Sequence, residues 1–136
     1  MERILGLDVG DKTIGVAVSD LLQITAQGVT TIRREGKKKD FLELKGLIDE
    51  YNIKKIVVGL PKNMDGSIGP QSEKVIKFAE KIENKFGIEI IYIDERLTTV
   101  SAERILIEGD VRRENRKKLI DKVAATYILQ FYLDSI

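Results

Sequence analysis

No cysteine and no histidine occur in the 136 residues. Their absence removes disulfides, thiolate or imidazole zinc sites, and nucleophilic chemistry that needs Cys or a Ser–His pair. Any metal would have to be held by oxygen. The chain also lacks an excess of either charge, with 23 Lys and Arg against 22 Asp and Glu, a net of +1. That balance argues neither for nor against a polyanionic partner, so a surface for one must be local. Apolar runs fall well short of the ~20 residues that span a bilayer, and the N-terminus has no signal-peptide pattern. A cytoplasmic protein without membrane association is expected. The length suits one domain over residues 1–136 with one core.

What is present begins with three strand-like runs, Arg3–Asp8, Thr13–Ser19 and Thr25–Arg33. Their short, polar links imply an antiparallel meander. The pattern then changes to a helix near Asp40–Tyr51, a strand Lys54–Gly59, a helix Pro70–Phe86 and a strand Ile88–Asp94. Strands alternating with helices add in parallel. Pro70 suits a first helical turn and Gly87 the position just past a helix end. Two more helices are expected over Thr99–Glu108 and Glu114–Leu133. The stretch PKNMDGSIG from Pro61 to Gly69 is too rich in turn formers for regular structure and long enough to be a working loop. A meander followed by βα units gives an α/β fold with a five-stranded mixed sheet flanked by helices. This is the RNase H-like arrangement if the first strand is central.

Three acids stand where a fold would rather place apolar groups. Asp8 ends the apolar strand ILGLD and shares a face with Gly6 and Ile4. Asp is depleted in strands and a buried charge needs compensation, from the amides of the Gly10 turn, a basic side chain or a metal. Asp94 and Glu95 end the strand IEIIYID and point to opposite faces, so at most one joins Asp8. The plainer alternative has one capping the following helix near Thr98 and Thr99 and the other pairing with Arg96. On the last helix, Asp121 falls on the side of Ala124, Ala125 and Ile128, at or near the packed stripe. Its plainer alternative is a solvated residue paired with Lys117 or Lys118. Acids from a first strand, a later parallel strand and a terminal helix most easily converge at the carboxyl edge of the sheet. Without His or Cys, such a set points to Mg²⁺ or Mn²⁺, which can activate water against a phosphodiester.

Two basic clusters could receive a polyanion: Arg33, Arg34, Lys37, Lys38 and Lys39, and the group Arg112, Arg113, Arg116, Lys117 and Lys118 beside Asp121. Both also read as ordinary solvated runs.

The segments GLDVGDKTIGVAVSD, VVGLPKNMDGSIGPQS, DERLTT and DKVAATYIL resemble, in order and from about residue 3 to residue 134, the signature segments of the YqgF/RuvX family. That family is described as pre-16S ribosomal RNA nucleases, Holliday junction resolvase-like, with an RNase H-like fold. The resemblance implies that Asp8, Glu95 and Asp121 are the catalytic metal carboxylates, with Asp94 in reserve. It places Lys12, Asn63 and Arg96 where they sit near the scissile phosphate or orient the acids, and Arg112, Arg113, Arg116 and Lys117 then serve to hold the strand. The implied role is metal-dependent trimming of precursor 16S RNA, with a ribosomal particle as a further partner. Two alternatives stay open, a resolvase of four-way DNA and a non-catalytic RNA-binding assembly factor. A monomer has one cutting site, whereas resolution of a junction favours a homodimer. LDVGDKTIGVAV also resembles the phosphate loop of the actin and sugar-kinase ATPases, but those need a second such lobe.

Overall fold

A computed structural model describes residues 2–98 and 113–136, the side chains of 113–121 excepted. The elements are β1 (Arg3–Val9), β2 (Thr13–Ser19), β3 (Ala26–Arg33), α1 (Lys37–Glu50), β4 (Ile53–Leu60), α2 (Pro70–Phe86), β5 (Glu89–Asp94), a 3-10 turn (Glu95–Leu97) and α3 (Arg113–Ser135). The helix expected over Thr99–Glu108 and the expected binding residue Arg112 lie outside the described residues. Among the described residues no helix is long and apolar enough to cross a membrane.

The strand order is β3-β2-β1-β4-β5. Short turns make β1–β2 and β2–β3 antiparallel, and the helical crossovers make β1–β4 and β4–β5 parallel. The first strand is therefore central. Its residues from Ile4 onward are buried on both faces, which is why RILGLDV reads as an almost continuous apolar run and not as an alternating one.

The two faces are built differently. On one, α1 and α2 lay Phe41, Leu44, Ile48, Val75, Phe78 and Ile82 over Leu5, Leu7, Val16 and Val58. On the other, α3 packs across β1, β2 and β3 through Ala124, Ala125, Ile128 and Leu129, against Ile4, Ala17 and Val57. Small residues let this helix come close. A Cβ added at Gly6 would stand 2.7 Å from Leu129 Cβ and 3.1 Å from the Ala125 carbonyl oxygen.

Helix α2 begins at Pro70 and ends at Phe86 before Gly87, as the sequence signals. Helix α1 starts at Lys37, a turn earlier than the apolar periodicity indicates. The reason is tertiary. Asp40, 1% exposed, accepts from the Glu35 amide at 3.2 Å and from Arg34 Nε at 3.2 Å, which ties the preceding chain onto the first turn.

Candidate active site

Asp8 lies one residue from the carboxyl end of β1 and is 7% exposed. It faces Gly15 across β2, and continuing the parallel register past Leu7–Val58 sets it beside Gly59 of β4. Its side of the sheet is the α3 side, shared with Gly6 and Ile4. The turn that follows is closed by main chain, with the Gly10 amide donating to the Thr13 carbonyl at 2.9 Å.

The register of β4 with β5 separates the two acids that sequence alone leaves undecided. Gly59 pairs with Ile93 and Leu60 with Asp94. Leu60 belongs to the core under α1 and α2, whereas Ile93 packs in the α3-side cluster. Asp94 accordingly turns away from Asp8. Its Oδ1 accepts from the Arg96 amide at 3.0 Å and caps the 3-10 turn, while its carboxylate takes Arg96 Nε at 3.1 Å and Nη2 at 2.7 Å. The hydrogen bond from Arg96 holds the Asp94 carboxyl below its ordinary value, and the Arg96 guanidinium is raised in turn. The expected pairing with Arg96 thus falls to Asp94, which caps the 3-10 turn Glu95–Leu97, while the helix expected from Thr99 lies outside the described residues.

Glu95 takes the other direction. Its Oε1 lies 2.8 Å from the position a Gly59 Cβ would occupy, beside Ile128 of α3. The missing side chain at Gly59 is therefore a cradle for the Glu95 carboxylate, one strand spacing of about 4.8 Å from the Asp8 strand. A carboxylate seated over a glycine, one strand from Asp8 and in a chain without His or Cys, offers the oxygen donors that suit a hard divalent cation. The sequence signal for this cradle was a glycine inside the buried strand IVVGL, a position where a strand glycine marks close approach.

Asp121 lies in α3, one turn before the packed Ala124 and Ala125, but its side chain is outside the described residues. Arg113, Arg116 and Lys117 share that position in the helix, with their side chains likewise outside. Among the described residues no group of three acids could hold a metal ion. Of the three expected ligands, Asp8 and Glu95 have described side chains.

Lys12 is exposed in the β1–β2 turn, and its carbonyl accepts from the Arg34 amide at 2.8 Å. Asn63 sits in the β4–α2 loop, where its Nδ2 donates to Ser67 Oγ at 2.9 Å and its amide donates to the Ser67 carbonyl at 3.0 Å. Asp65 Oδ1 accepts from the Ser67 hydroxyl at 2.6 Å and amide at 2.9 Å, which lowers its carboxyl from the ordinary value. Arg96 Nη1 donates to the Met64 carbonyl at 3.1 Å. Its guanidinium thereby joins the end of β5 to the loop, so its geometry is that of a staple.

The first basic cluster does not act as a unit. Arg34 donates to Asp40 and, at 2.6 Å, to the Gly10 carbonyl, and its guanidinium lies 4.8 Å from the Phe78 ring centroid. Lys39 is paired with Glu35. No spacing rule in the sequence announced that Arg34 would bind inward.

The family described as "RuvX: Holliday junction resolvase" matches residues 2–135. A Clostridioides difficile (strain 630) protein named "Putative pre-16S rRNA nuclease" is 64% identical over 132 residues, covering 97% of this chain and 94% of that protein. A Clostridium kluyveri protein of the same name is 60% identical over 134 residues and 98% of each chain. Among solved structures, T. thermophilus RuvC in complex with Holliday junction substrate is similar with a TM-score of 0.59 at 12% identity, over 99% of this chain and 96% of that one. The fowlpox virus Holliday junction resolvase gives 0.57 at 13% identity, over 98% and 99%. These two likenesses show the RNase H-like fold.

Proposed function

This chain belongs to the RuvX family, and from that premise we propose that it is a metal-dependent endonuclease that hydrolyses phosphodiester bonds in precursor 16S rRNA during ribosome maturation. The observation that supports the reading is the Glu95 carboxylate seated over the bare Gly59 of β4, the strand that pairs in parallel with the strand of Asp8.

Asp8, Glu95 and Asp121 would hold Mg²⁺ or Mn²⁺, which supplies an activated water and charge stabilisation at the leaving oxygen. The chain contributes the rest. Asp8 is fixed by strands on both sides, so its carboxylate needs no reorganisation before reaction. Glu95 is held by the 3-10 turn that Asp94 caps. Lys12 at the β1–β2 turn and Asn63 in the β4–α2 loop contact the phosphates that flank the cut. Arg112, Arg113, Arg116 and Lys117 hold the strand beside Asp121, while Arg96 keeps the loop of Asn63 in place. The products are a 5′-phosphate and a 3′-hydroxyl.

The test is cleavage of a labelled precursor 16S RNA end fragment beside a four-way DNA junction, with Mg²⁺ or Mn²⁺ against chelator, for wild type and Asp8→Asn. Cutting of the RNA that needs both metal and Asp8, with the variant still folded by circular dichroism, is the expected outcome. Cutting of the junction alone would move the assignment to a resolvase. Equal cutting by Asp8→Asn would remove the metal-site reading.

A further inference from the structure

Helix α2 separates its charges by flank. Lys74, Lys77 and Lys81 recur at i, i+3 and i+7, all exposed, and so form one stripe that spans roughly 10 Å at 1.5 Å per residue. Glu80 and Glu83 lie toward β5, where burial first and then their charge raise the Tyr92 hydroxyl. An exposed helix more commonly intersperses the two signs as i, i+4 pairs. Glu73 stands four residues before Lys77, yet among the described residues neither Lys77 nor Lys81 forms an ion pair. Lys85 Nζ lies 5.2 Å from the Phe41 ring centroid, which sets α2 against the first turns of α1, and the charge of Lys37, the first residue of α1, acts with that of Lys77 to hold the Lys81 ammonium below the ordinary lysine value. Three like charges are thus gathered along the α1–α2 seam, and among the described residues none of them forms an ion pair.

The stripe leads out of a cleft of about 420 Å³ lined by Gly10, Asp11, Gly36, Lys37, Gln71 and Lys74. Inside it the opposed charges cancel. Arg34 is paired with Asp40, and Lys74 with Asp11 at 3.6 Å, which leaves Lys37 as the surplus. Gly10 follows Asp8 by two residues, so the cleft opens directly behind the catalytic edge, on the opposite face of the sheet. Between the two lies the β1–β2 turn with exposed Lys12 at its crest.

We propose that this seam is a track for the phosphodiester backbone of a single-stranded nucleic acid, which leaves the acids, bends over the turn at Lys12, enters the cleft and runs along Lys37, Lys77 and Lys81. The proposal rests on the nuclease reading above and adds to it the class of the flanking substrate. A duplex does not fit this path, because its persistence length of about 150 base pairs makes a turn around one sheet edge costly. A flexible single strand makes the same turn without that penalty. Sequence reasoning missed the track because Lys37 and Lys81 belong to different helices and meet only in the fold.

The test measures binding of a fluorescent single-stranded RNA oligonucleotide by anisotropy across a salt series, in chelator so that nothing is cut. Wild type is compared with Lys77→Ala/Lys81→Ala and with Lys54→Glu, which lowers the net charge by the same amount at an exposed position off the track. Alanine favours the helix, so α2 should persist in the first variant, checked by thermal melting. The slope of log Kobs against log salt should fall by about 0.7 for each lost contact, hence about 1.4 for the track pair, and stay constant for the control. Adding Lys37→Ala should remove about 0.7 more. Duplex RNA should show no difference between the variants. An unchanged slope in the track variant, or an equal fall in the control, would overturn the track and leave the nuclease reading standing. An equal fall on duplex would overturn the single-strand assignment. Failure of wild type to bind any RNA would overturn both.

Discussion

Replacing Gly59 by alanine puts one methyl group at the point where α3, β4 and Glu95 meet. The added Cβ would lie 2.4 Å from Ile128 Cδ1, 3.1 Å from Ile128 Cγ1 and 2.8 Å from Glu95 Oε1. Ordinary contact is about 3.5–4.0 Å, so the Ile128 methyl must retreat by more than about 1 Å. Ile128 is fully buried in the cluster between α3 and the sheet, so its retreat must move packed neighbours. Overpacking of this kind costs about 1–3 kcal/mol. For a chain of this length that corresponds to a fall in melting temperature of about 3–5 °C per kcal/mol. The second consequence is chemical, because the Glu95 carboxylate loses its cradle and swings away from Asp8. Thermal or urea unfolding measures the first effect, and metal-dependent RNA cleavage the second. Ile128→Val separates them by deleting the clashing Cδ1 methyl. In the Gly59→Ala background it should recover stability, where alone it costs about 0.5–1.5 kcal/mol. Cleavage should stay low, since the clash with Glu95 remains. Wild-type stability and wild-type cleavage in Gly59→Ala would refute the tight α3 packing and the placement of Glu95 together. Recovery of cleavage along with stability in the double variant would show that the carboxylate was not displaced.

Other outcomes follow from the same geometry. Glu95→Gln should lose metal-dependent cleavage, whereas Asp94→Asn should chiefly loosen the Met64 loop, seen as faster amide hydrogen exchange; the reverse order would exchange the two roles. Arg34→Ala strands the nearly inaccessible Asp40 carboxylate and should destabilise by about 3 kcal/mol in a denaturant melt, and a loss below half that would mean Asp40 is compensated elsewhere. The Thr25 and Ile24 amides hold the Asp20 carboxyl below its ordinary value, at 3.0 and 2.7 Å. Because the folded value is the lower one, the β2–β3 loop is tied at neutral pH and released only as pH falls through that lowered value. NMR shifts of the two amides should follow one acid titration that is absent in Asp20→Asn, and a flat profile in wild type would contradict the contact.

Much of the fold was legible because local signals and tertiary demands agree. Pro70 and Gly87 mark the ends of α2, and the buried run of β1 follows from its central place. The candidate site was legible as residue types and not as directions. Alternation puts Asp94 and Glu95 on opposite faces, but only the pairing of Gly59 with Ile93 decides which face is which. The basic run at 33–39 shows the opposite failure. It reads as one cluster, yet Arg34 turns inward to Asp40 and Phe78, Lys39 closes on Glu35, and the charge of Lys37 acts on Lys81 of another helix. Which of several adjacent cations pairs inward is fixed by packing, on which local sequence is silent.

The seating of α3 on the meander also governs how the chain is made. Gln130 accepts from the Ala26 amide at 2.8 Å, 104 residues away, and donates to the Ile24 carbonyl at 2.9 Å. The sheet face that holds Ile4, Gly6 and Ala17 therefore has no lid until α3 emerges from the ribosome. At roughly 5–20 residues per second, the interval between Ala26 and Gln130 lasts about 5–20 s. During that time the nascent meander presents an open apolar surface, so translational pausing or truncation ahead of α3 yields a species for chaperones and proteases, and not a partly active enzyme.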